Sequence, residues 1–137
     1  MKNIFRKKMS SIFCAAFLVI FFAGMATQMS SDASYVYLEG VASWYSEFSP
    51  GILPTTANME AFDHRKMTCA MWGLPFDTIV EVTNLSNGRR VIVRVNDRGP
   101  AKRLCREGRI IDLTMAAFQE IEELDTGLAR VRVRVVK

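Results

Sequence analysis

The chain has 137 residues, half of them hydrophobic, and this length is typical of a single small domain. Its formal net charge of +4 comes entirely from Lys2, Arg6, Lys7 and Lys8, so the remaining chain is balanced and gives no indication of nucleic-acid binding. One histidine and no Cys-x-x-Cys motif argue against a zinc site, and we expect neither a metal nor a cofactor.

The amino-terminal segment is typical of a secretory signal peptide, because basic residues precede a short, continuous apolar run at residues 12–23. Gly24 and Ala26 supply the small residues of a cleavage site, which predicts cleavage after Ala26, with Ala33 as the second choice. An uncleaved membrane anchor is the alternative, since the apolar run continues through residues 24–26.

These features divide the chain into a signal peptide or anchor at residues 1–26, a short polar linker at residues 27–38 and one domain at residues 39–137. The expected location is outside the cytoplasm, in the periplasm or cell envelope. Attachment to a membrane is expected only if the amino-terminal segment stays uncleaved.

Period-two alternation and short apolar runs predict five or six strands in the domain. They lie at residues 36–45, 68–71, 78–84, 91–96, 109–113 and 130–136. Asn87-Gly88 predicts a tight hairpin between the third and fourth of these segments. Thr114 is placed to cap a helix over residues 115–122. Several short strands with one helix predict a small closed β-barrel, since closure removes exposed strand edges.

Two stretches outside regular alternation are candidates for function. Residues 46–63 have little periodicity and form a long loop, and such loops are usually functional or disordered. Asp97 follows the strand at residues 91–96 and precedes Gly99-Pro100, which cannot continue a ladder. The Asp97 side chain either hydrogen-bonds to its own turn or points into a cleft.

The arginine-rich stretch at residues 88–110 favours an anionic partner, although a solvated loop position is the alternative for each arginine.

The cysteines agree with export. Cys14 lies inside the predicted signal segment, early in the apolar run, where it is not positioned for lipid attachment. Cys69 and Cys105 remain as a pair in a compartment where disulfides persist. We predict that they are bridged, which would stabilise the domain by about 3–4 kcal/mol through loop closure.

A set of short motifs occurs in a fixed order along the domain. They are Ala42-Ser43-Trp44-Tyr45, Thr56-Ala57 with Glu60, Phe62-Asp63, Leu74-Pro75-Phe76, Val82-Thr83-Asn84-Leu85 with Asn87-Gly88, Asn96-Asp97-Arg98-Gly99-Pro100 and Arg109-Ile110-Ile111-Asp112-Leu113. In this combination the chain from Gly40 to Val135 resembles the RlpA-like (rare lipoprotein A) double-psi β-barrel family. That family includes septal lytic transglycosylases of bacterial cell walls.

The resemblance implies a mainly β fold, a six-stranded double-psi β-barrel with one short helix. It also implies an enzyme, a lytic transglycosylase that cleaves MurNAc–GlcNAc linkages of peptidoglycan glycan strands and leaves 1,6-anhydro ends. Such a lyase needs an acid for the leaving oxygen and a base for the sugar's own 6-hydroxyl. The family's catalytic aspartate is matched by Asp97 and a second important carboxylate by Glu60. A monomer is expected, with glycan strands as its partner.

Four further residues are expected to contact the substrate. They are Trp44 and Tyr45, as a stacking surface for sugar rings, together with Met71 and Arg98. Core packing is the alternative for Trp44, and pairing with a neighbouring carboxylate is the alternative for Arg98.

Two positions depart from the family pattern. Met71 stands where the family commonly has a histidine after Thr-Ala-Ala, and a methionine neither carries a proton nor donates a hydrogen bond. The single histidine, His64, does not match that motif, and Met59 replaces a glycine common before the family's glutamate. The alternative function is therefore a non-catalytic, expansin-like wall-binding module on the same barrel. Retention of both carboxylates favours the enzyme, whereas loss of the histidine favours the binding module.

Overall fold

The computed structural model describes residues 37–137, so the predicted signal segment and its cleavage sites lie outside the described residues. This part contains six strands, two short α-helices and one 3₁₀ turn. They are β1 (Tyr37–Tyr45), β2 (Thr68–Ala70), β3 (Ile79–Asn84), β4 (Arg90–Asp97), α1 (Lys102–Arg106), β5 (Arg109–Thr114), α2 (Met115–Ile121), the 3₁₀ turn (Leu124–Thr126) and β6 (Leu128–Val135). Among these residues no helix is long and apolar enough to cross a lipid bilayer.

The six strands close into a barrel in the order β1–β5–β2–β4–β3–β6. The pairs β1–β5 and β2–β4 are parallel, and the other neighbouring pairs are antiparallel. Every second residue of the long strands points inward, and the interior contains Ala42, Cys69, Val80, Val82, Val91, Val93, Val95, Ile111, Leu113, Val131 and Val133. Helix α2 adds Ala117, Phe118 and Ile121 to this core. The predicted mainly β closed barrel is confirmed.

Two local features differ from the sequence expectations. Helix α1 was not predicted, because five residues after Pro100 are too few to show a helical period. The expected side-chain cap at Thr114 is wrong: its hydroxyl donates to the Lys66 carbonyl at 2.6 Å. A backbone carbonyl of the β1–β2 loop takes the place of a side-chain cap: the Ala116 N–H, in the first turn of α2, donates to the His64 carbonyl at 3.1 Å.

The predicted disulfide is not formed, and both cysteines are free thiols. Cys69 is fully buried inside the barrel, and burial raises the pKa of its thiol to about 12. Cys105 lies on α1, where its Sγ donates to the Pro100 carbonyl at 3.3 Å. The even number of cysteines carries no information on where each side chain points, and a bridge requires both to point at each other.

Candidate functional site

A groove of about 420 Å³ runs between the long β1–β2 loop and the end of β4. Its lining residues are Gly51, Ile52, Leu53, Thr55, Thr56, Ala57, Met59, Asp97 and Arg98. A β-bulge positions the aspartate, because β2 pairs Cys69 with Val95 and then Ala70 with Asp97, skipping one residue of β4. The strand thus presents Asp97 to the groove at the point where its ladder ends.

Three donors hold the Asp97 carboxylate in one orientation. Its Oδ1 accepts the backbone N–H of Ala57 at 2.9 Å and that of Arg98 at 2.8 Å, and its Oδ2 accepts the Tyr45 hydroxyl at 3.3 Å. Burial, followed by the charge of Asp97, raises the pKa of Tyr45 well above its ordinary value, so the phenol keeps its proton and remains a donor. The Tyr45 ring stacks on Phe62, with centroids 4.7 Å apart.

Both carboxylate oxygens of Glu60 accept hydrogen bonds from neighbouring side chains. Arg94 binds it in a bidentate manner, with both nitrogen–oxygen distances at 2.8 Å. Asn58 donates to Oε1 at 2.8 Å and Asn96 to Oε2 at 3.1 Å. These hydrogen bonds, that of Arg94 first, lower the pKa of Glu60 to about 2. Glu60 is therefore an ionised tether between the loop and β4.

The loop next to Asp97 is shaped by its own backbone. Thr56 N–H donates to the Glu60 carbonyl at 2.8 Å, and Asn58 N–H donates to the Asn96 carbonyl at 3.3 Å. Met59 has a φ of 72°, in the left-handed region that favours glycine. This turn directs the Ala57 N–H at Asp97 and the Glu60 side chain at Arg94.

The structure brings together some of the predicted substrate-binding residues and separates others. Arg98 lines the groove, donates to the Met71 carbonyl at 2.9 Å and lies 3.9 Å over the Phe76 ring. The Met71 side chain is buried in the barrel core, while its N–H donates to the Asp97 carbonyl at 3.2 Å. Trp44 packs against the core and donates to the Leu124 carbonyl at 3.1 Å, as its alternative expected.

Other residues near the site were not assigned a role in it from the sequence. Arg94 and Asn96 bind Glu60, and both lie on the polar face of the alternating strand, which is the signal that could have found them. Asp112, within an otherwise apolar part of β5, is bonded by Ser43. His64 pairs with Glu47, and both residues lie in the β1–β2 loop.

Residues 37–137 contain no cluster of three or more His, Cys, Asp or Glu side chains arranged to hold a metal ion. What the groove offers instead is a rigidly held carboxylate beside an arginine. Such a site suits proton transfer from a bound polar ligand.

The barrel is similar to solved structures of low sequence identity. The Streptomyces papain inhibitor has a TM-score of 0.58 at 24% identity, covering 74% of this chain and 96% of that chain. A mutant expansin of Clavibacter michiganensis in complex with cellohexaose has a TM-score of 0.58 at 20% identity, covering 74% and 51%. At these identities the likeness concerns the fold alone.

Sequence comparisons identify the family. The chain is 46% identical over 103 residues to the endolytic peptidoglycan transglycosylase RlpA of Pseudomonas aeruginosa (strain UCBPP-PA14), which covers 75% of this chain and 28% of that protein. It is 45% identical over 97 residues to the protein of the same name from Vibrio cholerae, covering 71% and 35%. It thus spans about a third of the length of these curated relatives. Residues 37–133 match the family described as Lytic transglycolase. The chain therefore belongs to the RlpA-like lytic transglycolase family of double-psi β-barrel proteins.

Proposed function

We propose that the chain is a peptidoglycan lytic transglycosylase that cleaves MurNAc–GlcNAc linkages of glycan strands and leaves 1,6-anhydro ends. The observation that carries this proposal is Asp97, which lines the groove with its carboxylate fixed by three donors. The relatives named endolytic peptidoglycan transglycosylases share this domain with the chain. Asp97 belongs to the motif that carries the family resemblance.

The reaction proceeds without water. The bond between C1 of MurNAc and the O4 of GlcNAc breaks, and the 6-hydroxyl oxygen of the same MurNAc bonds to C1. The hydroxyl proton passes to a base, and the leaving oxygen takes a proton from an acid. Asp97 accepts the hydroxyl proton in this proposal, because its neighbours are donors and leave it as an acceptor. Glu60 is a positioning residue, since Arg94 occupies both of its oxygens.

The groove also offers contacts for the sugar rings. Leu53 and Met59 are 69% and 79% exposed on its wall, where apolar side chains can cover the apolar faces of pyranose rings. Arg98 supplies a positive charge beside Asp97, which suits the lactyl carboxylate of MurNAc. The charge of Arg98 favours an anionic glycan over a neutral one.

The test is digestion of purified sacculi, with and without stem peptides, followed by mass analysis for anhydro-muropeptides. The wild type is expected to release them, and Asp97→Asn to lower the rate by about 10²–10⁴, the usual cost of losing a general acid or base. The amide keeps the acceptor for Ala57 and Arg98, so the melting temperature should stay nearly constant. Asp125→Asn, an exposed aspartate of the 3₁₀ turn, is the matched control.

Two outcomes would contradict the proposal. Full activity of Asp97→Asn with a lowered melting temperature would make Asp97 structural. Wild-type protein that binds sacculi but releases no anhydro product would favour the wall-binding module, and Met71→His would then test whether the missing histidine is the reason.

We further infer that the chain is exported, because its apolar run at residues 12–23 follows a basic segment. Amino-terminal sequencing of the exported protein should find a start between residues 27 and 34. An intact Met1 on membrane-bound protein would show an uncleaved anchor instead.

A further inference from the structure

The proposed reaction needs two proton-transferring groups, and Glu60 is poorly suited to be the second. Both of its oxygens accept hydrogen bonds from Arg94, and its pKa is lowered to about 2. A carboxylate in this state holds no proton to donate to a leaving oxygen. The acid has to be another group near Asp97.

Asp112 lies in line with Asp97 across the barrel wall. Register pairs Ser43 with Asp112, Asp112 with Ala70, and Ala70 with Asp97, so these four residues form one row over β1, β5, β2 and β4. Residues directly opposite each other in neighbouring strands share a face of the sheet. Two strand spacings, about 10 Å between α-carbons, separate the two aspartates.

The turn that follows Asp97 also contacts Asp112. A Cβ placed on Gly99 would lie 3.2 Å from Asp112 Oδ2 and 3.1 Å from the Ala70 Cβ. The positions between the two carboxyl groups are thus held by alanine and glycine, the smallest residue types. Asp112 itself is partly buried, and its Oδ1 accepts a hydrogen bond from the Ser43 hydroxyl.

We infer that Asp112, rather than Glu60, is the second catalytic carboxyl group and donates the proton to the leaving oxygen. This inference rests on the proposed function. The Asp112 O–H proton moves to O4 of GlcNAc as the C1–O4 bond breaks, while Asp97 takes the proton of the 6-hydroxyl that closes on C1. The two carboxyl groups then return to their starting states by exchanging protons with solvent.

The surroundings of Asp112 suit an acid. Burial raises the pKa of its carboxyl, and the negative charge of Asp97 acts in the same direction, whereas the Ser43 hydrogen bond and Arg109 act in the opposite direction. Because the net direction is upward, the group keeps its proton to higher pH than an ordinary aspartate.

Two other titratable groups interact with Asp112 from the neighbouring strands. They are Tyr45 on β1 and Cys69 on β2, and burial raises the pKa of both. Both are therefore neutral near neutral pH and add no charge beside Asp112.

The experiment compares two substrates: sacculi, and a GlcNAc–MurNAc disaccharide carrying a 4-nitrophenyl leaving group. Asp112→Asn is expected to lose about 10²–10⁴ in rate on sacculi. It should lose far less on the nitrophenyl substrate, because nitrophenolate leaves without being protonated. Asp97→Asn should be slow on both, since the base is needed for either leaving group.

Ser43→Ala supplies a second measurement that does not require Asp112→Asn to fold. Removing the Ser43 hydrogen bond takes away a contribution that lowers the Asp112 pKa. The acid then stays protonated to higher pH, so the alkaline limb of the pH–rate profile should move upward. In Asp112→Asn that limb should disappear.

The outcomes separate this inference from the proposed function. No anhydro product from the wild type on either substrate would reject the function itself. An active wild type whose Asp112→Asn variant loses equal activity on both substrates would reject the inference alone. So would a Ser43→Ala profile whose alkaline limb is unmoved or shifted downward.

Discussion

At the scale of single residues, the site depends on side chains whose neighbours fix their orientation. Tyr45 stacks on Phe62 and donates its hydroxyl to Asp97, so it acts as a positioning residue. The expected role as a stacking surface for sugars stays a prediction, and the structure adds the stack on Phe62 and the hydrogen bond to Asp97. The Ala42-Ser43-Trp44-Tyr45 motif indicated that Tyr45 belongs to the site. The motif could not show its contact with Phe62, which lies in the long β1–β2 loop.

Met59 is a residue that the backbone does not favour. Its φ of 72° lies in the left-handed region, which costs an L-residue about 1–2 kcal/mol. Its side chain is 79% exposed and loses little contact if removed. Met59→Gly relieves this strain, while the extra freedom of glycine in the unfolded chain costs about 0.5–1 kcal/mol. We expect a net gain of up to about 1 kcal/mol in the free energy of unfolding, measured by urea denaturation.

Met67→Gly is the matched control, since Met67 is also exposed but has no left-handed φ. The entropic cost of glycine applies there without any relief of strain, and the 40% exposed side chain also loses partly buried contacts, so that variant should lose at least about 0.5–1 kcal/mol. Equal destabilisation by the two substitutions would show that Met59 is not strained.

At the scale of elements, the site is the junction between the β1–β2 loop and β4. The strand contributes Arg94, Asn96 and Asp97, and the loop contributes the Ala57 N–H and the Glu60 carboxylate. The loop has little regular structure of its own. Its position next to Asp97 therefore depends on these cross-connections.

Glu60→Gln tests this tether through the pH dependence of stability. The folded pKa of Glu60, about 2, lies below its ordinary value of 4.5, so its stabilising contribution is present above pH 4.5 and is lost as pH falls towards 2. The melting temperature of Glu60→Gln should be lower than that of the wild type at pH 7, and the difference should shrink below pH 4.5. Thermal unfolding across this range measures it, and a gap independent of pH would contradict an ionised tether.

The alternation of residues 91–96 was sufficient to predict β4, because burial on one face of a sheet imposes a period of two. The bulge that aligns Asp97 with Ala70 could not be predicted in the same way. It depends on the register between β2 and β4, which lie far apart in sequence. The pairing of Glu60 with Arg94 could not be predicted for the same reason. Neither the hydrophobic period of a strand nor a short motif shows which side chains from distant parts of the chain come into contact.

At the scale of the whole molecule, closure of the barrel holds the two aspartates in one row. β5 carries Asp112 between β1 and β2, and β4 carries Asp97 on the other side of β2. The number of strands followed from periodicity. Their order, with two parallel pairs among antiparallel ones, did not, because hydrophobic alternation is the same in either direction.

Ile111 and Ile92 provide a matched test of how much this closure depends on the core. Ile111 lies next to Asp112 and is fully buried in the barrel, whereas Ile92 is 50% exposed on β4. Ile111→Ala should lose about 2–5 kcal/mol in the free energy of unfolding, because it removes buried apolar contacts and leaves a cavity. Ile92→Ala should lose less than about 1 kcal/mol, as expected for a residue that is largely solvated in the folded state. Chemical denaturation of both variants gives the comparison, and similar losses would mean that β5 does not pack into the interior as described.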